Sequence, residues 1–186
     1  IEGDYLEFRL RRYLTFAEFK SELAPHFGLG LEGYATWTSP IRKYSDMVNH
    51  RLIKAVLTQQ ACEKPQDEVL ARLQEARRQN RLVERDIADW LYCRYLVDKV
   101  AEKPEFDAEV QDVSRGGLRV MLLENGASMF IPASTLHDNK EEVVINPDEI
   151  AFYVKDQRLY KIGDRIRVQL TEVRETTRSI VGTVVK

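Results

Sequence analysis

Pro104-Glu105-Phe106-Asp107-Ala108-Glu109-Val110-Gln111-Asp112-Val113-Ser114-Arg115-Gly116-Gly117-Leu118-Arg119-Val120-Met121-Leu122 marks the place where the chain changes its period. From Val110 to Leu122, apolar residues alternate with polar ones around the turn signal Arg115-Gly116-Gly117, the pattern of two half-buried strands. Similar short runs follow, at Phe130-Ile131, Ile166 to Val173 and Ile180 to Val185. They are punctuated by Glu124-Asn125-Gly126, Ile162-Gly163-Asp164 and Glu175-Thr176-Thr177. The reading is five or six strands across Phe106–Val185, in a unit the size of a small barrel such as an OB fold.

Upstream of that boundary the period is helical. Residues 15–24 suggest a short helix ended by Pro25, and a glycine-bearing loop follows through Gly28, Gly30 and Gly33. Thr38-Ser39-Pro40 reads as a helix start, with Ser39 at the N-cap and Pro40 at the first helical position. Ile41, Tyr44, Val48, Leu52 and Val56 recur at three- and four-residue steps, so this helix is expected to bury one face and run to about Thr58. A longer helix is expected over Gln66–Val100, with Arg72, Arg77, Arg78, Arg81 and Arg85 crowding its middle. Glu75 and Glu84 stand at helical spacing to pair with them. The fold class is therefore α+β, divided at residues 103 and 104.

Composition narrows the function classes less than position does. The 186 residues carry a formal net charge of -2, with 31% charged and 44% hydrophobic residues, which fits a soluble globular protein. From Pro104 on, acidic residues outnumber basic ones 14 to 11, so the barrel is no general polyanion trap. Any nucleic-acid contact must come from a local face. Cys62 and Cys93 are the two cysteines, too far apart for a CxxC zinc site, and they read as reduced thiols of a cytosolic protein. No apolar run is long enough to cross a bilayer. The start at Ile1-Glu2-Gly3-Asp4 reads as a cut into a longer chain.

Thr38-Ser39-Pro40-Ile41-Arg42-Lys43-Tyr44 carries the chemistry. A helix's first turn offers unpaired N–H groups and the positive end of the dipole, a place for phosphate. Arg42 adds a forked cation there. On spacing alone, two readings stand side by side: a phosphate grip, or an ordinary cap with Arg42 paired to Asp46.

The stretch Tyr34–Arg51, with its lead-in Pro25–Leu31, resembles the signature near the end of the catalytic domain in the ribonuclease II (RNB) family. Arg81–Tyr92 is similar to that family's long helix. The second half resembles the S1-type OB-fold domain that closes such enzymes. The resemblance covers essentially the whole chain. It implies that residues 1–103 are the C-terminal part of an RNB catalytic domain, mainly helical. Residues 104–186 are then the OB-fold RNA-binding domain. The implied activity is processive 3′-to-5′ hydrolysis of single-stranded RNA to nucleoside 5′-monophosphates, assisted by Mg²⁺ on an aspartate cluster.

By the same resemblance, Arg42 is the catalytic arginine that contacts phosphate near the scissile bond. Glu84 is substrate-binding and can accept a hydrogen bond from a ribose hydroxyl; Ser39 is a substrate-binding candidate from its place at the helix start, where it caps the helix, touches the anion, or does both in turn. Arg119 and Phe130 are expected to hold RNA on the barrel. Phe106, Phe152, Tyr153 and His137 are further candidate stackers, although most of these aromatics, Phe130 included, could equally fill the core, and Arg115 and Arg167 are further phosphate partners. The sequence departs from the family in one respect. No tight aspartate cluster is present, and Glu84, Asp86 and Asp89 lie along one helix at steps that do not converge. No metal site is expected in this chain, and no hydrolysis by it alone. Trp37, Lys43 and the stop at Lys186 without a lysine-rich tail favour one branch of the family. The expected setting is a cytoplasmic monomer that binds single-stranded RNA and no membrane. A stand-alone RNA-binding module without a catalytic role is the alternative.

Overall fold

The computed structural model describes residues 10, 13–15, 17–137, 142–146, 150–155 and 157–185. The start at Ile1–Asp4, Phe16 and the terminal Lys186 lie outside the described residues. Packing divides the chain into two compact units, one of residues 15–83 and one that contains 84–186.

In the second unit, five strands close into a barrel in the order β1-β2-β3-β8-β7. They are β1 (Glu105–Ser114), β2 (Gly117–Leu122), β3 (Ser128–Pro132), β7 (Arg165–Arg174) and β8 (Ser179–Val184). All neighbours are antiparallel except β3 and β8, which pair in parallel at Phe130 and Val181. Alternation puts Leu118, Val120 and Leu122 of β2, Met129 and Ile131 of β3, and Val168 and Leu170 of β7 inside, all fully buried. Two bulges, between Val110 and Asp112 on β1 and between Leu170 and Glu172 on β7, bend the longest strands around the barrel. Closure leaves these five strands no free edge.

Between β3 and β7 the chain forms a three-stranded antiparallel sheet of β4 (Val143–Asn146), β5 (Ala151–Val154) and β6 (Gln157–Lys161). Eight strands among the described residues therefore exceed the five or six expected. The extra ones are short, and β6 is largely exposed, so their apolar signal was weak. Phe152, Ile150 and Ile162 from this region join the barrel's core.

The long helix runs over Asp67–Leu96 and continues as a 3-10 stretch, Val97–Glu102. Its last turns pack on the barrel. Cys93 and Leu96 are fully buried in the core, and burying a leucine contributes roughly 2 kcal/mol. The Tyr92 hydroxyl donates to the Asn125 carbonyl at 3.0 Å. Arg94 and Asp86 pair with Glu175 and Arg178 at the β7–β8 turn, at 3.6 and 3.3 Å.

In the first unit, residues 17–24 are not helical, contrary to the helix expected over 15–24. Side chains of the long helix satisfy this backbone instead: Arg77 donates to the Ala17 carbonyl at 3.2 Å, and the Phe19 N–H donates to Gln74 at 3.4 Å. Arg77 also sits over the Phe19 ring. We label the next helix α1 (Tyr44–Leu57) and the long one α2. The apolar stripe expected to be buried on α1 is largely open: Ile41 and Tyr44 are exposed, and Val56 is 76% exposed. Val48 and Leu52, between them, are half-buried.

Candidate RNA-contacting site

The helix does not start where Ser39-Pro40 suggested. The Ser39 carbonyl accepts from the N–H groups of Arg42 and Lys43, at 3.2 and 2.9 Å, which closes a turn over 39–43. Lys43 is then extended, with φ -120 and ψ 110, so the turn cannot propagate and α1 begins at Tyr44. Lys43 is the N-cap residue and makes no side-chain cap bond. Ser39 is thus not the cap and Pro40 is not the first helical residue, because a tertiary contact overrides the local signal.

That contact is Asp46. Its carboxylate is fully buried and accepts the Ser39 N–H at 2.9 Å and the Ser45 hydroxyl at 3.3 Å. The Thr36 hydroxyl does most to hold this carboxyl below its ordinary range against the effect of burial, helped by Ser39, Ser45 and the charge of Lys43. Asp46 occupies the third position of α1, where an acid also opposes the positive end of the helix dipole. The helix end is therefore already met by a carboxylate, and the anion-attracting role falls to Arg42 itself.

Arg42 is exposed and its guanidinium makes no ion pair or hydrogen bond with the described residues, so the alternative pairing with Asp46 is not formed. The Ser39 side chain is half-buried, and its hydroxyl is likewise without a described partner. Two further residues that sequence reasoning did not single out as functional complete the arrangement. Asn49 donates to the Thr36 carbonyl and His50 to the Trp37 carbonyl, both at 2.8 Å. The His50 ring stacks on Trp37 at 4.3 Å and 21°. Polar residues at 46, 49 and 50 share one helix face, and that stripe was the available signal.

On the barrel, Arg119 and Phe130 are brought together as directly paired residues of β2 and β3. Met129 and Ile131 point inward, so Phe130 must point out; it is half-buried, beside the exposed Arg119. Arg115 is exposed in the adjoining turn. Three other candidates are corrected. Phe106 and Phe152 fill the core and cannot stack on a base. Arg167 is paired with Glu105 at 2.8 Å and with Asp107, its register partner across β1 and β7, at 3.7 Å, rather than free for phosphate. Tyr153 is half-buried on β5. Glu84 is exposed on α2 and makes no ion pair with the described residues, whereas Glu75 pairs with Arg78 at 2.9 Å.

His137 is also engaged. Its Nε2 donates to Glu142 at 2.8 Å, and Lys155 reaches the same carboxylate at 3.3 Å. The His137 hydrogen bond, then Lys155, holds the Glu142 carboxyl below its ordinary value. A depressed folded value means that this contribution is complete above the ordinary glutamate range, about pH 4.3. It is lost as pH falls through the lower folded value. Glu142→Gln is therefore expected to lower the melting temperature at pH 7 by more than it does at pH 3. An equal decrement at both pH values would refute the assignment.

Magnesium does not fit the described residues. No group of three His, Cys, Asp or Glu side chains among them could hold a metal ion, and Asp86 is occupied by Arg178. The Cys93 thiol is free and is pushed up by burial, then by Asp89 and Glu175; Cys62 is free and exposed. No described helix is long and apolar enough to cross a membrane.

A helical segment with a presented arginine, followed by a closed five-stranded barrel with an aromatic–arginine pair, defines a class. Residues 2–59 match the RNB domain and residues 99–184 match the S1 RNA binding domain. It is 80% identical over all 186 residues to Exoribonuclease 2 of Haemophilus influenzae, and 76% identical over 185 residues to that of Actinobacillus succinogenes. The chain spans 28% of the length of these curated relatives. Among solved structures, Mycoplasma genitalium RNase R in complex with ribose methylated single-stranded RNA superposes with a TM-score of 0.83 at 22% identity. That match covers 98% of this chain and 30% of the other. At that identity it establishes the fold alone.

Proposed function

We propose that this chain is the RNA-gripping C-terminal part of a processive 3′-to-5′ exoribonuclease that degrades single-stranded RNA to nucleoside 5′-monophosphates. The observation that carries the reading is Arg42: an exposed guanidinium without a described ion-pair partner, on a turn held from below by a buried carboxylate. Its fork suits two oxygens of one phosphate. Ser39 supplies a hydroxyl in the same turn. Glu84 is the acceptor for a ribose hydroxyl, and Arg119 with Phe130 forms a stacking and phosphate contact on the barrel.

On this reading, residues 1–103 close the RNB catalytic domain and residues 104–186 are the OB-fold RNA holder. Mg²⁺ is held by aspartates elsewhere in the enzyme, and the chain by itself binds RNA without cutting it. The setting is cytoplasmic, and the protein acts as a monomer.

The test is a low-salt titration of the 186-residue chain with fluorescein-labelled single-stranded RNA, with and without Mg²⁺. Binding without trimming is the expected result. Phe130→Ala should weaken it roughly 5- to 100-fold, the range for loss of one base–aromatic stack. Failure to bind removes the barrel's role as an RNA holder. Mg²⁺-dependent shortening in clean material removes the claim that the chain is inactive alone.

A further inference from the structure

We infer that Asp46 is a positioning residue for Arg42: with Asn49 and His50 it clamps the backbone of residues 36–39, and so holds the following turn in the shape that presents the guanidinium. This rests on the reading of Arg42 as the phosphate contact.

The geometry separates clamp from cation. Asp46 lies one helical turn beyond Arg42 in sequence, the spacing at which an ion pair would be expected, yet its acceptors go to loop donors. It takes the Ser39 N–H at 2.9 Å and the Ser45 hydroxyl at 3.3 Å. Asn49 and His50 hold the carbonyls of Thr36 and Trp37 at 2.8 Å each. Three side chains at i, i+3 and i+4 on α1 thus grip three residues of the 36–39 loop. The Ser39 carbonyl in turn receives the Arg42 and Lys43 N–H groups. The chain of contacts runs from Asp46 through Ser39 to Arg42. It leaves the guanidinium unpaired and exposed. A carboxylate is needed because the buried donors that meet it would otherwise be unsatisfied. Preorganising this turn spares the RNA the entropy of ordering it.

The test uses the 186-residue chain and two readouts: amide exchange of the Ser39 N–H, and affinity for a fluorescein-labelled single-stranded oligouridylate. Asp46→Ala is expected to speed Ser39 exchange by at least about tenfold while β1–β3 amides stay unchanged. It should weaken RNA binding as much as Arg42→Ala does, roughly tenfold. The double variant should be no weaker than either single one, because both remove the same contact. Asp46→Asn keeps one acceptor for Ser39 and should fall between wild type and Asp46→Ala.

Unchanged Ser39 exchange in Asp46→Ala overturns the clamp. Faster exchange with wild-type RNA affinity, while Arg42→Ala is impaired, overturns the positioning role. If Arg42→Ala alone binds normally, the phosphate reading fails and takes the inference with it, although Ser39 exchange still reports the clamp separately. Should Asp46→Ala unfold residues 15–83, Asp46→Asn decides, and wild-type affinity there counts against the inference.

Discussion

On the function proposed above, replacing Arg42 with Gln in a full-length protein that carries this chain is expected to lower kcat/KM for single-stranded RNA by about 10- to 100-fold. The magnitude follows from the net worth of a hydrogen bond to a charged group, about 1.5–3 kcal/mol, at about 1.4 kcal/mol per factor of ten. Glutamine keeps most of the stem and some donor capacity but no charge, so it isolates the guanidinium. Arg42→Lys restores charge without the fork and should recover part of the loss. A contact made mainly in the transition state appears in kcat, and one made equally to bound substrate appears in KM. Because Arg42 has no ion-pair partner among the described residues, its removal strands no buried acid, and the fold is expected to survive. Steady-state hydrolysis of a labelled oligonucleotide, with a melting curve as control, measures this. Undiminished hydrolysis by Arg42→Gln ends the proposed role.

Gly117→Ala has the second large effect, and here the target is the barrel. Gly117 opens β2 at φ +143, a conformation that side chains rarely adopt, and a Cβ would overlap the Ile131 carbonyl oxygen of the neighbouring strand. That carbonyl belongs to β3, which joins the β1–β2 hairpin to β8 and closes the barrel. Backbone cannot step aside as a flexible side chain could. The expected loss is about 3 kcal/mol or more of barrel stability. The neighbouring Gly116 supplies the control. Its Cβ would lie 3.6 Å from the Phe130 ring, an ordinary contact, and its φ is not positive. Gly116→Ala should be neutral, or stabilising by a few tenths of a kcal/mol through the unfolded chain. Chemical denaturation of the two variants side by side reads the difference, and equal midpoints would refute the steric account.

The inserted sheet shows where linear reading stops. Val143–Asn146 and Ala151–Val154 are four residues each, too short for alternation to stand out, and their partners are supplied by the hairpin itself. Phe152 looked like a candidate stacker because aromatics on a barrel have two uses. Only burial tells a core ring from an exposed one. Arg167 was offered to phosphate for the same reason, and its partner Glu105 lies 62 residues away. Phe130 had the same two uses in sequence, and the structure decides between them: Met129 and Ile131 are buried, so parity turns Phe130 outward.

What the sequence determined by itself was periodic and local: a long helix, expected over 66–100 and found over 67–96, the change near Pro104, the alternation of Leu118, Val120 and Leu122 on β2, and the RNB-like segment around Arg42. These follow from side-chain spacing along one element, which needs no knowledge of neighbours. Tertiary structure alone decided the start of α1 at Tyr44, the parallel closure of β3 on β8, and the burial of Cys93 and Leu96 against the barrel. It also decided that Asp46 serves the loop and leaves Arg42 free. Each of these is set by groups distant in the chain, competing for the same backbone donors and the same apolar surface. A buried carboxylate outweighs a serine–proline signal because its donors, once removed from water, have no other partner.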